Sequence, residues 1–205
     1  MEAPYPTPAK RKMQRALSGL SMMIPFTLLW AIIAENALGA AGHRIVGAVF
    51  FILAAVLSAF YLKFYQLSNA LPEVPAESVD SLEDKSRNKW FLIVLGLEGL
   101  AIFLVKNVLV NLNLDHFFIA SFALIVGLHF FPLGVLFKRR FDYYIAAWTT
   151  AVAVAGLYLE AAKPASHKFI TAAVAAGCAV ATASYGFKMV AQGSRAQQEA
   201  RLPGS

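Results

Sequence analysis

The chain has 205 residues, 59% of them hydrophobic and 15% charged, with a mean hydropathy of +0.59. A soluble domain carries about a quarter charged residues, so too little polar side chain is present here to clothe a water-facing surface. The net charge of +6 is spread along the chain in a way that topology explains, which excludes nucleic acid as a partner.

The apolar residues fall into six runs of roughly 18 to 24, each near the length of about 20 that crosses a bilayer core as a helix. They predict an all-α, polytopic membrane protein. The expected form is a compact six-helix bundle making one transmembrane domain over residues 1–205, with membrane lipids around it.

Pro4, Pro6 and Pro8 open the chain, followed by Lys10, Arg11, Lys12 and Arg15. No small-residue cleavage site interrupts the apolar run that follows, so it reads as a retained first helix over 17–38. Pro25 lies within it, removing one backbone donor and crowding the carbonyl of Ser21, which predicts a kink. Glu35 and Asn36 follow near the far end. Gly39-Ala40-Ala41-Gly42 then makes a tight turn into His43 and Arg44, where Glu35 is expected to pair with Arg44 or, alternatively, with Lys106.

The second helix is predicted over 45–66. A connection over 68–89 follows, its start broken by Pro72 and Pro75. Val79 and Leu82 are three apart, which suits a short surface helix, and a solvated linker fits equally. The connection divides the chain into two helices and four, so no 3+3 inverted repeat is indicated.

The third helix, 90–110, carries Glu98, Lys106 and Asn107, and the fourth, 117–137, carries His129 and Pro132. Asn111-Leu112-Asn113-Leu114-Asp115 joins them, and Lys138-Arg139-Arg140 closes the fourth. Small residues dominate the fifth helix, 143–159, and the sixth, 167–190. Ala173, Gly177 and Ala181 recur every four positions, as do Ala151 and Ala155, a spacing that lets backbones approach closely. The stripe serves packing within one protomer or a homodimer seam, and monomer against homodimer stays open. The lone cysteine, Cys178, excludes an intrachain disulfide and a cysteine-based metal cluster, and its small neighbours suggest inert packing. After Val190 the composition turns polar and reads as a mobile tail.

An even number of spans places both termini on one side. That side would hold Lys10, Arg11, Lys12, Arg15, Lys63, Lys85, Arg87, Lys89, Lys138, Arg139, Arg140, Lys188, Arg195 and Arg201. The other would hold only Arg44, Lys106, Lys163 and Lys168. Cationic side chains near helix ends stay in the cytoplasm, so both termini and the 68–89 connection are expected to be cytoplasmic.

Glu98 lies eight residues into the third helix from Trp90, and His129 eight residues before Phe137. At 1.5 Å per residue both sit about 12 Å from the same side. An antiparallel hairpin with a short turn lets them meet, and a carboxylate beside an imidazole can share a proton, hold an ion or simply lock the packing. Ionisable groups inside a membrane are functional candidates. Pro132 frees the carbonyl of Leu128 beside His129, and Pro25 at similar depth can face the same cavity. Glu35, Asn36, Lys106 and Asn107 form a second candidate layer at the outer surface, with Lys106 reaching Glu35 or snorkelling to head groups. His43, Asp115 and His116 do not have a recognised zinc spacing. Nucleotide, dinucleotide, haem and calcium motifs are missing, so no cofactor is expected.

The segment Gly127-Leu128-His129-Phe130-Phe131-Pro132-Leu133, with the Glu98 helix before it and Tyr143-Tyr144 after it, resembles a broad group of small bacterial integral membrane proteins. The resemblance covers residues 90–160. It implies a bacterial cytoplasmic (inner) membrane location and carries no activity with it. The residues favour transport or permeation of a small solute or ion, proton-coupled through Glu98 and His129. The alternatives are a membrane enzyme or lipid-binding protein using the outer layer, and a non-catalytic assembly or sensor protein.

Overall fold

The computed structural model describes residues 8–39, 45–71 and 82–201. The turn around His43 and Arg44, the Glu35–Arg44 pairing and the middle of the 68–89 connection lie outside them. The described residues form six long helices: α1 (Pro8–Gly39), α2 (Ile45–Ala70), α3 (Leu82–Asn111), α4 (Phe118–Phe137), α5 (Arg140–Ala162) and α6 (His167–Glu199). A single 3-10 turn, Asp115–Phe117, precedes α4. All six helices are long and apolar enough to cross a membrane, and the chain is a polytopic membrane protein built as an all-α bundle.

The ends of the helices follow from local chemistry. α1 starts on Pro8, whose missing N–H costs nothing in a first turn. Lys10 is buried and its Nζ donates to the carbonyl of Leu71 at 2.8 Å, satisfying an acceptor just past the end of α2. Ser166 caps α6, its Oγ accepting from the Phe169 N–H at 3.4 Å. Between α3 and α4, Asn113 takes φ 57 and the Leu114 N–H returns to the Leu109 carbonyl at 2.8 Å, which reverses the chain in a few residues. Lys138 and Lys163 end α4 and α5 in the same left-handed conformation, one that a side chain normally resists.

The helices α1 and α6 run along one another, with α2 against both. α5 joins α4 to α6, and α3 leans on α4. The sixth helix is the most buried of the candidate spans and the third the least. Glycines on α6 allow the close approach: a Cβ at Gly186 would collide with Leu57, and one at Gly193 with the Phe64 ring. Lys12 and Glu199 form an ion pair at 2.8 Å, so the start of α1 and the end of α6 share one end of the bundle.

The chain past Val190 is no mobile tail: α6 continues to Glu199, with Gly193 and Ala196 buried. Apolarity marked only the part of the helix that suits lipid, whereas two further turns pack on α2 and α1 through small residues. α3 likewise begins at Leu82, well before the apolar stretch that starts at Trp90. The Ala173–Gly177–Ala181 stripe does not act as one seam. Ala173 is exposed, Gly177 faces Val152 and only Ala181 is fully buried, while Ala151 and Ala155 are both exposed.

Candidate functional site

A cavity of about 400 Å³ opens between α1, α3, α4 and α6. Its walls are mainly apolar. Met22 and Phe26 come from α1, Phe91 and Leu95 from α3, and Phe130 and Leu133 from α4.

Glu98 and His129 sit on this wall, brought together by the α3–α4 hairpin. His129 Nδ1 lies 2.7 Å from Glu98 Oε2, and the side chains are 10% and 7% exposed. The separation is that of an ion pair, but the ring N–H does not aim at the oxygen. Nδ1 therefore has no straight hydrogen bond. The imidazole also stands edge-on to the Phe130 ring, centroids 5.5 Å apart. A carboxylate and an imidazole at this separation can exchange a proton without moving either backbone, and both border space that a solute or water can occupy.

The end of the cavity nearer the termini holds charged residues, some of which count in the sequence only as topological signals. Arg15 and Arg139 line it, with Asp142 and Tyr185. Arg139 Nη1 donates to the Tyr185 hydroxyl at 3.1 Å, and its guanidinium lies 4.8 Å from the Phe137 ring centroid. Asp142 is almost fully buried at the start of α5, near Tyr185, Arg139 and Lys188. One of its oxygens, Oδ1, has no hydrogen-bond partner among the described residues. Lys188 lies over the Phe141 ring at 4.2 Å from its centroid. At the inner wall, Thr182 receives a hydrogen bond from the Thr27 hydroxyl at 3.0 Å. The available signal for this cluster was Asp142 following Arg139-Arg140 at a helix start, where an acid suits the helix N-terminus.

The outer candidates do not assemble. Lys106 is exposed and sits over the Phe118 ring, 6.0 Å from its centroid, rather than reaching Glu35. Asn107 is exposed and donates to its own helix at the Phe103 carbonyl, 2.7 Å away. Asn36 is exposed, while Glu35 packs on Gly47 with Oε2 buried and without a hydrogen-bond partner among the described residues. The physical reason is the placement of α3, which leans on α4 and so keeps Lys106 away from α1. The prolines also differ from expectation: Pro25 and Pro132 lie inside α1 and α4, but both are exposed and neither lines the cavity. Leu128 is 50% exposed, on the face turned from the cavity.

A second carboxylate–imidazole contact went unnoticed in the sequence. Glu160 is buried and His167 half exposed, with Oε1 and Nδ1 2.7 Å apart across the α5–α6 turn. The His116 ring stands edge-on to His167 at 6.3 Å. Among the described residues no group of three or more His, Cys, Asp or Glu is placed to hold a metal ion. Comparison with family models, with curated proteins and with solved structures finds no match for this chain.

Proposed function

We propose that the chain moves a small solute or ion across a bacterial cytoplasmic membrane, and that Glu98 and His129 take up and release a proton as it does so. The observation that carries this reading is the 2.7 Å contact between the two side chains on the wall of a cavity. An ionisable pair with only a packing duty gains nothing from bordering open space, and buried pairs are weak stabilisers compared with apolar residues of the same shape. A proton-handling pair needs that space, because proton and solute must both reach it. The fourteen cationic residues on the side of the termini, against four on the other, support cytoplasmic termini and a cavity that opens inward. A membrane enzyme built on the outer polar layer has less support, since Glu35, Lys106 and Asn107 stay apart.

The test is dissipation of an imposed pH gradient in liposomes carrying an internal pH-sensitive dye. Wild-type protein speeds the dissipation. Glu98→Gln and His129→Gln suppress it more than they lower folded yield, and the double variant is no worse than the poorer single one because the two groups act as a unit. Wild-type rates in both single variants would overturn the proposal.

A further inference from the structure

We infer that the cavity binds a single-chain amphipathic anion, an apolar body with one carboxylate or phosphate head, which arrives sideways from the bilayer between α1 and α3. This rests on the reading of the cavity as the solute site and names the class of solute.

The walls and the charges set the class. The stretch between the two polar ends is lined by Met22, Phe26, Phe91, Leu95 and Leu133, surfaces that favour an alkyl or aromatic body and gain from removing it from water. At the end near the termini stand two guanidinium groups, from Arg15 and Arg139. Arg139 is already engaged with Tyr185 and Phe137. Arg15 has no partner among the described residues, and its side chain lines the cavity while remaining exposed. A planar guanidinium suits the oxygens of a carboxylate or phosphate. Asp142 does not reverse this preference, because Arg139, Lys188 and Tyr185 surround it. Arg15 lies two residues before the apolar run that begins at Leu17, which is the level where an amphipath carries its head at a membrane surface.

The route follows from the helix arrangement. α1 and α3 form opposite walls of the cavity, yet α3 packs on α4 and leaves α1 to α2 and α6. A membrane-dissolved chain therefore meets a slot between two helices and need not cross the water phase. Its body would lie along the walls, with its far end toward Glu98 and His129.

The test is photolabelling in phosphatidylcholine nanodiscs with a dodecanoate carrying a diazirine near the middle of its chain. Label is expected on peptides containing Met22–Phe26 and Phe91–Leu95, with competition by laurate or dodecyl phosphate and none by dodecanol. The stronger competitor identifies the head group. Arg15→Gln should weaken labelling about fivefold, the scale of a partly solvated charge-assisted contact, and Arg15→Lys should recover part of it. Leu95→Trp should block labelling by filling the cavity. Equal competition by dodecanol, or full labelling of Arg15→Gln at unchanged thermal stability, overturns the anion preference. Label confined to lipid-facing positions such as Phe103 overturns the site. The pH-gradient assay uses no dodecanoate, so the two readings fail separately. Glu98-dependent dissipation with no specific label overturns the ligand class alone, and specific label with Glu98-independent dissipation overturns the proton role alone.

Discussion

Thr27 on α1 and Thr182 on α6 are 155 positions apart in sequence, and their hydroxyls are 3.0 Å apart inside the bundle. Each hydroxyl has a single proton, and each also has a carbonyl of its own helix within reach as an alternative acceptor, that of Met23 at 2.8 Å for Thr27 and that of Cys178 at 3.2 Å for Thr182. Neither hydroxyl is stranded if the other is removed, because each keeps an intrahelical acceptor. Thr27→Val is therefore expected to cost only about 1 kcal/mol, the net worth of one hydrogen bond, and Thr27→Val with Thr182→Val no more than the larger single effect. Reversible unfolding in mixed micelles measures this. A cost several times larger would mean that the threonines support something beyond each other.

The Glu98–His129 contact should couple more strongly. Breaking a buried pair strands its partner, at about 3–5 kcal/mol. A cycle of Glu98→Ala, His129→Ala and the double variant is expected to give a coupling of at least about 1 kcal/mol, within the range seen for residues in contact. Simple additivity of the two losses would show that the pair is not coupled in the folded protein.

Glycines in the two halves of the α3–α4 hairpin should behave oppositely. A Cβ at Gly127 would lie 2.8 Å from the backbone nitrogen of Thr150, which cannot swing away, whereas one at Gly99 meets nothing within 4 Å. Gly127→Ala should destabilise by about 1–3 kcal/mol through overpacking. Gly99→Ala should be neutral or stabilising by up to about 1 kcal/mol, since alanine is the better helix former. Thermal melting of both variants checks the pair, and equal losses would contradict the loose placement of α3.

Membrane orientation is testable with single cysteines in a Cys178→Ala background. Cysteine at Asn113, in the α3–α4 turn, should react with an impermeant maleimide in intact cells. Cysteine at Gln198, exposed near the end of α6, should react only after lysis. The opposite pattern would overturn the orientation inferred from the cationic residues.

Hydropathy revealed the helices because apolar length alone decides whether a segment can span. The Glu98–His129 contact was legible for a related reason: in a hairpin with a short turn, equal distance from one surface brings two residues to the same level. Arg15, Asp142, Thr182 and Tyr185 were not legible as parts of one cavity. They come from helices far apart in sequence, and apolarity does not say which face meets lipid and which meets another helix. Lys106 shows the converse limit, since its depth relative to Glu35 was readable but the packing of α3 away from α1 was not. The end of α6 was hidden because Gln192, Ser194 and Arg195 mask the buried pair Gly193 and Ala196.

The length of α6 has a mechanical consequence. Thirty-three helical residues span about 50 Å, against a hydrocarbon core of about 30 Å. Its final turns extend past the apolar stretch that ends at Val190 as a stiff rod held against the bundle, with Phe64 packed at Gly193 and Lys12 tied to Glu199. A soluble protein spliced onto that rod through an unbroken helix would inherit the orientation of the bundle instead of swinging on a tether. For a particle this small, such a rigid extension offers a fiducial for electron-microscopic alignment, and a lever whose tilt would report any rocking of α6 against α1.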